Sequence, residues 1–180
     1  MTLPEKFRVH VITLSDRAHS GSYADLSGPA VVKYVKYAMS AAGWQCEIRQ
    51  SILPDDAVAL RAALMEAPAA DLVITTGGTG IGPRDITPDV VRPLLTKEMP
   101  GIMEQIRVKY GTRNPKALLS RAVAGVIGNT LIYTLPGSVK AVHEYMAEIV
   151  KTMEHTFYML YGVDVHKRRR QPAESVGNTS

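Results

Sequence analysis

Runs of β-branched and apolar residues recur along this chain, and segments of helical spacing separate them. Phe7 to Leu14, Gln45 to Leu53, Asp71 to Thr76 and Asn129 to Leu135 read as strands. This alternation is the sequence sign of an α/β layer fold with a largely parallel sheet. Gly125 to Gly128, just before the last strand, predicts a hairpin-like entry and one antiparallel member of the sheet.

Between the strands, Val31, Val32, Val35, Ala38, Met39 and Ala42 share one helical face, and Gly43 stops that helix. Pro54, Asp55 and Asp56 open a second helix, Ala57 to Glu66, whose Val58, Leu60, Ala62, Leu64 and Met65 are read as sheet-facing. Pro88 suits the first turn of a helix capped by Thr87, but Pro93 lacks the N–H that a longer helix needs, so this one is short or kinked. Another helix is predicted over Gly101 to Tyr110. Val139, Val142, Met146, Ile149 and Met153 recur at spacings of three and four, which is a core stripe rather than a cofactor motif.

A chain of 180 residues, 46% hydrophobic, buries one core, and we expect a single domain over residues 1–165. The formal charge of +4 is concentrated in His166 to Arg170, so residues 166–180 read as a basic, disordered tail and not as a nucleic-acid site. No run reaches the roughly 18 to 20 apolar residues of a membrane helix, and the first residues lack a signal-peptide layout. The expected setting is the cytoplasm, with no membrane association. Cys46, the sole cysteine, has no disulfide partner and reads as a buried strand thiol.

Directly behind the third strand stands TTGGTGIGPRDITPD, Thr75 to Asp89. It is not a Walker loop, because Pro83 and Arg84 stand where Lys and Ser/Thr are needed. Nor is it a dinucleotide fingerprint, which wants its third glycine at Pro83 and belongs after the first strand. A glycine loop that only makes a tight turn is the plain alternative. The hydroxyls of Thr76 and Thr79, set among Gly77, Gly78 and Gly80, shift the balance toward anion binding. Arg84 adds a cation for a phosphate, and Asp85 a carboxylate for Mg²⁺.

Three more loops repeat the theme at strand ends, where helix N-termini favour negative charge. SDRAHSGSYADLSGP offers Ser15, Asp16, Asp25, Ser27 and Gly28 after the first strand. LPDD sets Asp55 and Asp56 after the second, either as ligands or simply as acids at a helix start. LPGSVK puts Pro136, Gly137 and Ser138 before the last helix, with Lys140 in its first turn, where the dipole disfavours a cation. Lys140 is therefore either solvated or relieved by a bound anion.

Taken in order, these loops together with LSRAVAG resemble the molybdopterin adenylyltransferase family, the MogA/MoaB-like and gephyrin G-domain proteins. The resemblance spans about residues 7 to 160. It implies a three-layer α/β/α sandwich, the molybdopterin-binding fold, and a homotrimer. It also implies Mg²⁺-dependent transfer of an adenylyl group from ATP to molybdopterin, with release of pyrophosphate, ahead of molybdate insertion by a partner protein. The family's two important aspartates match Asp85 and Asp55, read as catalytic and as Mg²⁺ ligands. Its ligand-binding serine matches Ser120, beside Arg121. A molybdopterin-binding module of the same fold without turnover is the alternative.

Overall fold

The chain is described by a computed structural model over residues 2–65 and 70–164. The predicted tail, 166–180, and the last residue of the predicted helix ending at Glu66 lie outside those residues. Among the described residues, no helix is long and apolar enough to cross a membrane.

Six strands among the described residues form one sheet: β1 (Lys6–Leu14), β2 (Gln45–Leu53), β3 (Leu72–Thr76), β4 (Lys97–Glu98), β5 (Ala124–Ile127) and β6 (Thr130–Leu135), in the order β2-β1-β3-β6-β5-β4. β2, β1, β3 and β6 are parallel, while β5 runs against both β6 and β4. The predicted antiparallel member is thus β5, which turns into β6 through Gly128 at φ +58°. β4, a pair of exposed residues, has no counterpart in the sequence reading.

Side chains alternate across the sheet and so divide the core in two. Val9, Val11, Leu72, Ile74, Leu131 and Tyr133 face one layer, built from α2 (Ser27–Ala41), α5 (Pro100–Gly111) and α6 (Val139–Leu160). Ile12, Val73 and Ile132 face the other, built from α3 (Ala57–Met65) and α4 (Thr87–Val91). The α6 stripe is buried as its spacing predicts, from Val142 through Met146 and Ile149 to Met153. On α3 only Leu60 and Leu64 are buried; Val58 is 77% exposed and Met65 61%, because neither lies on the face that helical geometry turns inward.

The cap expected of Thr87 is not formed. Its hydroxyl donates to the Gly77 carbonyl at 2.8 Å and its amide to the Gly78 carbonyl at 2.9 Å, so this residue ties α4 to the glycine loop instead. After α4 a single 3₁₀ turn over Arg92–Leu94 absorbs Pro93, as the missing N–H requires. Cys46 lies half-buried on the edge strand β2, more open than expected.

From β1 the chain crosses through α2 to β2 on one side, then returns through α3 to β3 on the other. That reversal makes a crevice between the carboxyl ends of β1 and β3. Since β2 and β6 run parallel to them, the loops leaving Leu14, Leu53, Thr76 and Leu135 all emerge on the same edge.

Candidate active site

Two clefts open along that edge and share Gly78, Asp85, Gly137 and Ser138. The larger, about 680 Å³, is lined by Ser15, Asp16, Asp25, Ser27, Asp55 and Arg84 among others. The smaller, about 310 Å³, is lined by Thr79, Gly80, Lys116, Ser120, Pro136 and Lys140 among others. The glycine loop forms the ridge between them. Loops far apart in sequence are thereby brought to one place.

Glycine is required on this ridge. Gly77 has φ +106° and Gly78 φ +63°, both disfavoured for a side chain. A Cβ on Gly77 would also run into the Leu14 carbonyl oxygen, and one on Gly78 would stand 2.6 Å from Thr87 Oγ1. The Gly77 amide donates to the Leu135 carbonyl at 2.9 Å, which locks the ridge to the end of β6. Among the described residues, the amides of Gly78, Thr79 and Gly80 donate to no protein acceptor, and all three residues line the smaller cleft.

Two residues expected as ligands sit behind the ridge. The Thr76 hydroxyl is fully buried and donates to the Pro136 carbonyl at 3.0 Å, joining the loops after β3 and β6. Arg121 spreads its guanidinium over three groups: Nε donates to the Gly80 carbonyl at 2.6 Å, Nη2 to the Asp85 carbonyl at 2.5 Å, and Nη1 to both Asp89 carboxylate oxygens, at 2.7 and 2.9 Å. This fork clamps the loop and lines neither cleft. The bond from Arg121, aided by its charge, lowers the Asp89 pKa. Arg107 holds the neighbouring segment similarly, donating to the Ala122 carbonyl at 3.2 Å.

The start of α2 is also filled by the chain itself. Asp25 Oδ1 accepts from the Ser27 amide, the Ser27 hydroxyl and the Gly28 amide, each at 3.0 Å, and Oδ2 accepts from the Thr13 hydroxyl at 2.8 Å. The carboxylate takes the place that a phosphate would need at this N-terminus. Gly28 contributes closeness, since a Cβ there would run into Asp25 Oδ2. At the start of α6, the Ser138 hydroxyl accepts from the Ala141 amide at 3.2 Å as the cap, and Lys140 faces Glu144 at 3.9 Å with its side chain 75% exposed.

The two LPDD acids divide their tasks. Asp56 Oδ1 accepts from the Ala59 amide at 2.8 Å and caps α3, whereas Asp55 faces the larger cleft. Asp55 and Asp16 exchange bonds: each carboxylate accepts from the other's amide, at 3.2 and 3.0 Å. Asp16 also pairs with Arg84, linking the loops after β1 and β3, and Ser15 accepts from the Ala18 amide at 3.2 Å to cap the single turn α1 (Asp16–His19). Asp85 Oδ2 accepts from the Gly82 amide at 2.8 Å, and a Cβ on Gly80 would stand 2.7 Å from it.

Among the described residues there is no group of three or more His, Cys, Asp or Glu side chains able to hold a metal. Asp55 and Asp85 on one cleft suit Mg²⁺, which keeps several waters and binds through one or two carboxylates plus substrate phosphates. Cleft residues that the sequence reading passed over include Arg17, Tyr23, Lys116 and Tyr145. The first two stand inside the quoted SDRAHSGSYADLSGP loop, and Arg17 lies over the Tyr23 ring at 5.5 Å. Tyr145 falls on the buried α6 stripe, where an aromatic reads as core.

Residues 10–155 match the model of a family described as probable molybdopterin binding domain. Gephyrin from Dictyostelium discoideum is 34% identical over 87% of this chain and 23% of its own length. Molybdopterin adenylyltransferase from Pyrococcus furiosus is 38% identical over 83% of this chain and 88% of its own length. The chain thus spans less than half of several curated relatives, 23%, 49% and 29% of three of them, and most of others. The structure of tungsten cofactor synthesizing protein MoaB from Pyrococcus furiosus superposes with a TM-score of 0.77 at 34% identity, covering 87% of this chain and 98% of that one. A match that runs from β1 into α6 takes in every loop lining the two clefts, and the chain belongs to the family of probable molybdopterin binding domains.

Proposed function

We propose that this chain transfers the adenylyl group of ATP to molybdopterin, releasing pyrophosphate, and so prepares the cofactor for molybdate insertion. The observation that carries this reading is the meeting of two clefts at Gly78, Asp85, Gly137 and Ser138. A transferase that joins two large anions needs adjoining compartments with a phosphate-tolerant junction. ATP takes the larger cleft, with Asp55 and Asp85; molybdopterin takes the smaller, with Ser120, Lys116 and Lys140. The relatives from Pyrococcus furiosus and Escherichia coli named molybdopterin adenylyltransferase support the transferase reading.

In the step itself, an oxygen of the molybdopterin phosphate attacks the α-phosphorus of ATP. One P–O bond forms, and the bond from that phosphorus to the bridging oxygen breaks as pyrophosphate leaves. The nucleophile is already ionised, so no general base is needed. The Gly78 to Gly80 amides donate to phosphate oxygens at the ridge, and Lys116 and Lys140 offset charge in the smaller cleft. Mg²⁺ held by Asp55 and Asp85 would neutralise the triphosphate and the departing pyrophosphate. Our reading extends to one domain over 1–165, a homotrimer in the cytoplasm, and delivery of the product to a molybdate-insertion protein.

The test is incubation with molybdopterin and Mg-ATP, followed by detection of adenylyl-molybdopterin and pyrophosphate. Asp85→Ala should cut turnover by about 10²-fold or more while molybdopterin binding persists. Wild-type protein that binds molybdopterin yet yields no pyrophosphate would sink the transferase and leave a binding module.

A further inference from the structure

Tyr145 is 2% exposed, and its hydroxyl is one of three buried side-chain groups that lack a hydrogen bond among the described residues. Of those three residues, Thr75, Tyr133 and Tyr145, Tyr145 alone lines the smaller cleft. A buried phenol normally finds a partner, because desolvating it unpaired is costly. Beside it stands Ser120, also on the cleft wall. Ser120 is loosely held: its hydroxyl donates to Thr79 Oγ1 at 3.4 Å and accepts from the Ala122 amide at 3.4 Å, both near the limit of a hydrogen bond. Burial raises the Tyr145 pKa and the Glu144 charge adds to the rise; the approach of the Ser120 hydroxyl, which falls short of a full hydrogen bond, and the Arg107 charge oppose it, and the phenol remains a proton donor.

We propose that Tyr145 is a positioning residue for the substrate in the smaller cleft and that it acts through Ser120. This rests on the assignment of molybdopterin to that cleft. A serine hydroxyl has one proton and two lone pairs. When an anionic group of the ligand enters, the Ser120 proton leaves its long bond to Thr79 and turns to the ligand oxygen. The Tyr145 O–H then donates into a Ser120 lone pair, which fixes the serine's orientation and strengthens it as a donor. The hydroxyl left without a partner in the free protein is thus satisfied in the complex. Its cost falls on the free state and its benefit on the bound one.

Tyr145→Phe removes only the oxygen from a packed ring, so it should fold. Three measurements decide the proposal. The free variant should melt at or above the wild-type temperature, since an unpaired buried hydroxyl has been removed; a fall of several degrees would show that the hydroxyl serves the fold, and would overturn the proposal. Calorimetric titration with molybdopterin should show affinity about 3- to 10-fold weaker, with ATP affinity unchanged. In the double variant with Ser120→Ala, the Tyr145→Phe change should add nothing to the loss from Ser120→Ala alone. Equal molybdopterin affinity in Tyr145→Phe and wild type, or additive losses in the double variant, would refute the role of Tyr145 and leave the functional reading intact. Wild-type protein that fails to bind molybdopterin would remove that reading and this inference with it.

Discussion

Gly77 meets two constraints at once: a backbone angle of φ +106° and the Leu14 carbonyl oxygen in the place of a Cβ. Replacing it with alanine should destabilise the chain by about 2 kcal/mol or more, read as a lower urea midpoint at unchanged slope. A variant of wild-type stability would show that the ridge can shift aside at no cost. The glycines of TTGGTG were readable as a loop because their spacing matches neither common phosphate motif and hydroxyls flank them. What no spacing reveals is the direction of a side chain. Thr76 and Arg121 have the chemistry of anion ligands, yet a carbonyl at 3.0 Å and a three-way clamp claim them. Asp25 similarly occupies the helix start that SGP advertised for a phosphate. A polar residue near a site either touches the ligand or holds what does, and only long-range neighbours decide between the two.

Elements follow the same logic. β1, β2, β3 and β6 were legible because nonlocal pairing agrees with their β-branched composition, and α6 because its stripe persists for several turns. β4 escaped notice since Lys97 and Glu98 have no strand character of their own; the bonds from the Thr96 and Met99 amides to β5 carbonyls, at 2.7 and 2.8 Å, create it. α6 also carries a charge anchor. Glu148 Oε1 accepts from Lys109 of α5 at 2.6 Å and Oε2 from Lys151 at 2.8 Å, and these bonds hold the Glu148 pKa down to about 2 against an ordinary 4.5. A folded-state pKa below the unfolded one adds stability above the unfolded value and loses it as pH falls through the folded value. Glu148→Gln should therefore cost about 1 kcal/mol near neutrality, a modest figure because both lysine side chains are about half exposed to solvent. The cost should shrink as pH drops from about 4.5 to about 2, the window between the two pKa values. Denaturant titrations of both proteins at pH 7 and pH 2.5 would show the gap close; a constant gap would assign it to packing.

At the scale of the whole molecule, the topology does the positioning. Because β2, β1, β3 and β6 run parallel, their carboxyl ends point to one edge and the loops from residues 15, 54, 77 and 136 onward meet there, while the reversal of strand order beside β1 opens the crevice. The clefts touch only at the ridge and its neighbours, Gly78, Asp85, Gly137 and Ser138. A ligand in one cleft alone uses half of this edge and loses its full freedom of motion on binding. On the proposed function, adenylyl-molybdopterin would fill both clefts with one molecule and lose that freedom once, so its affinity should exceed that of ATP and of molybdopterin measured separately. An advantage of about 10²-fold over the tighter of the two is expected, at the low end for two sites joined by a short link. Melting shifts give an independent reading, since a ligand at 100 times its dissociation constant raises stability by about 2.7 kcal/mol. Asp55 borders only the larger cleft, so on the proposed assignment Asp55→Ala should weaken ATP and product while sparing molybdopterin. Product affinity no greater than that of molybdopterin alone would mean that the two clefts are neighbours on the surface but not halves of one site.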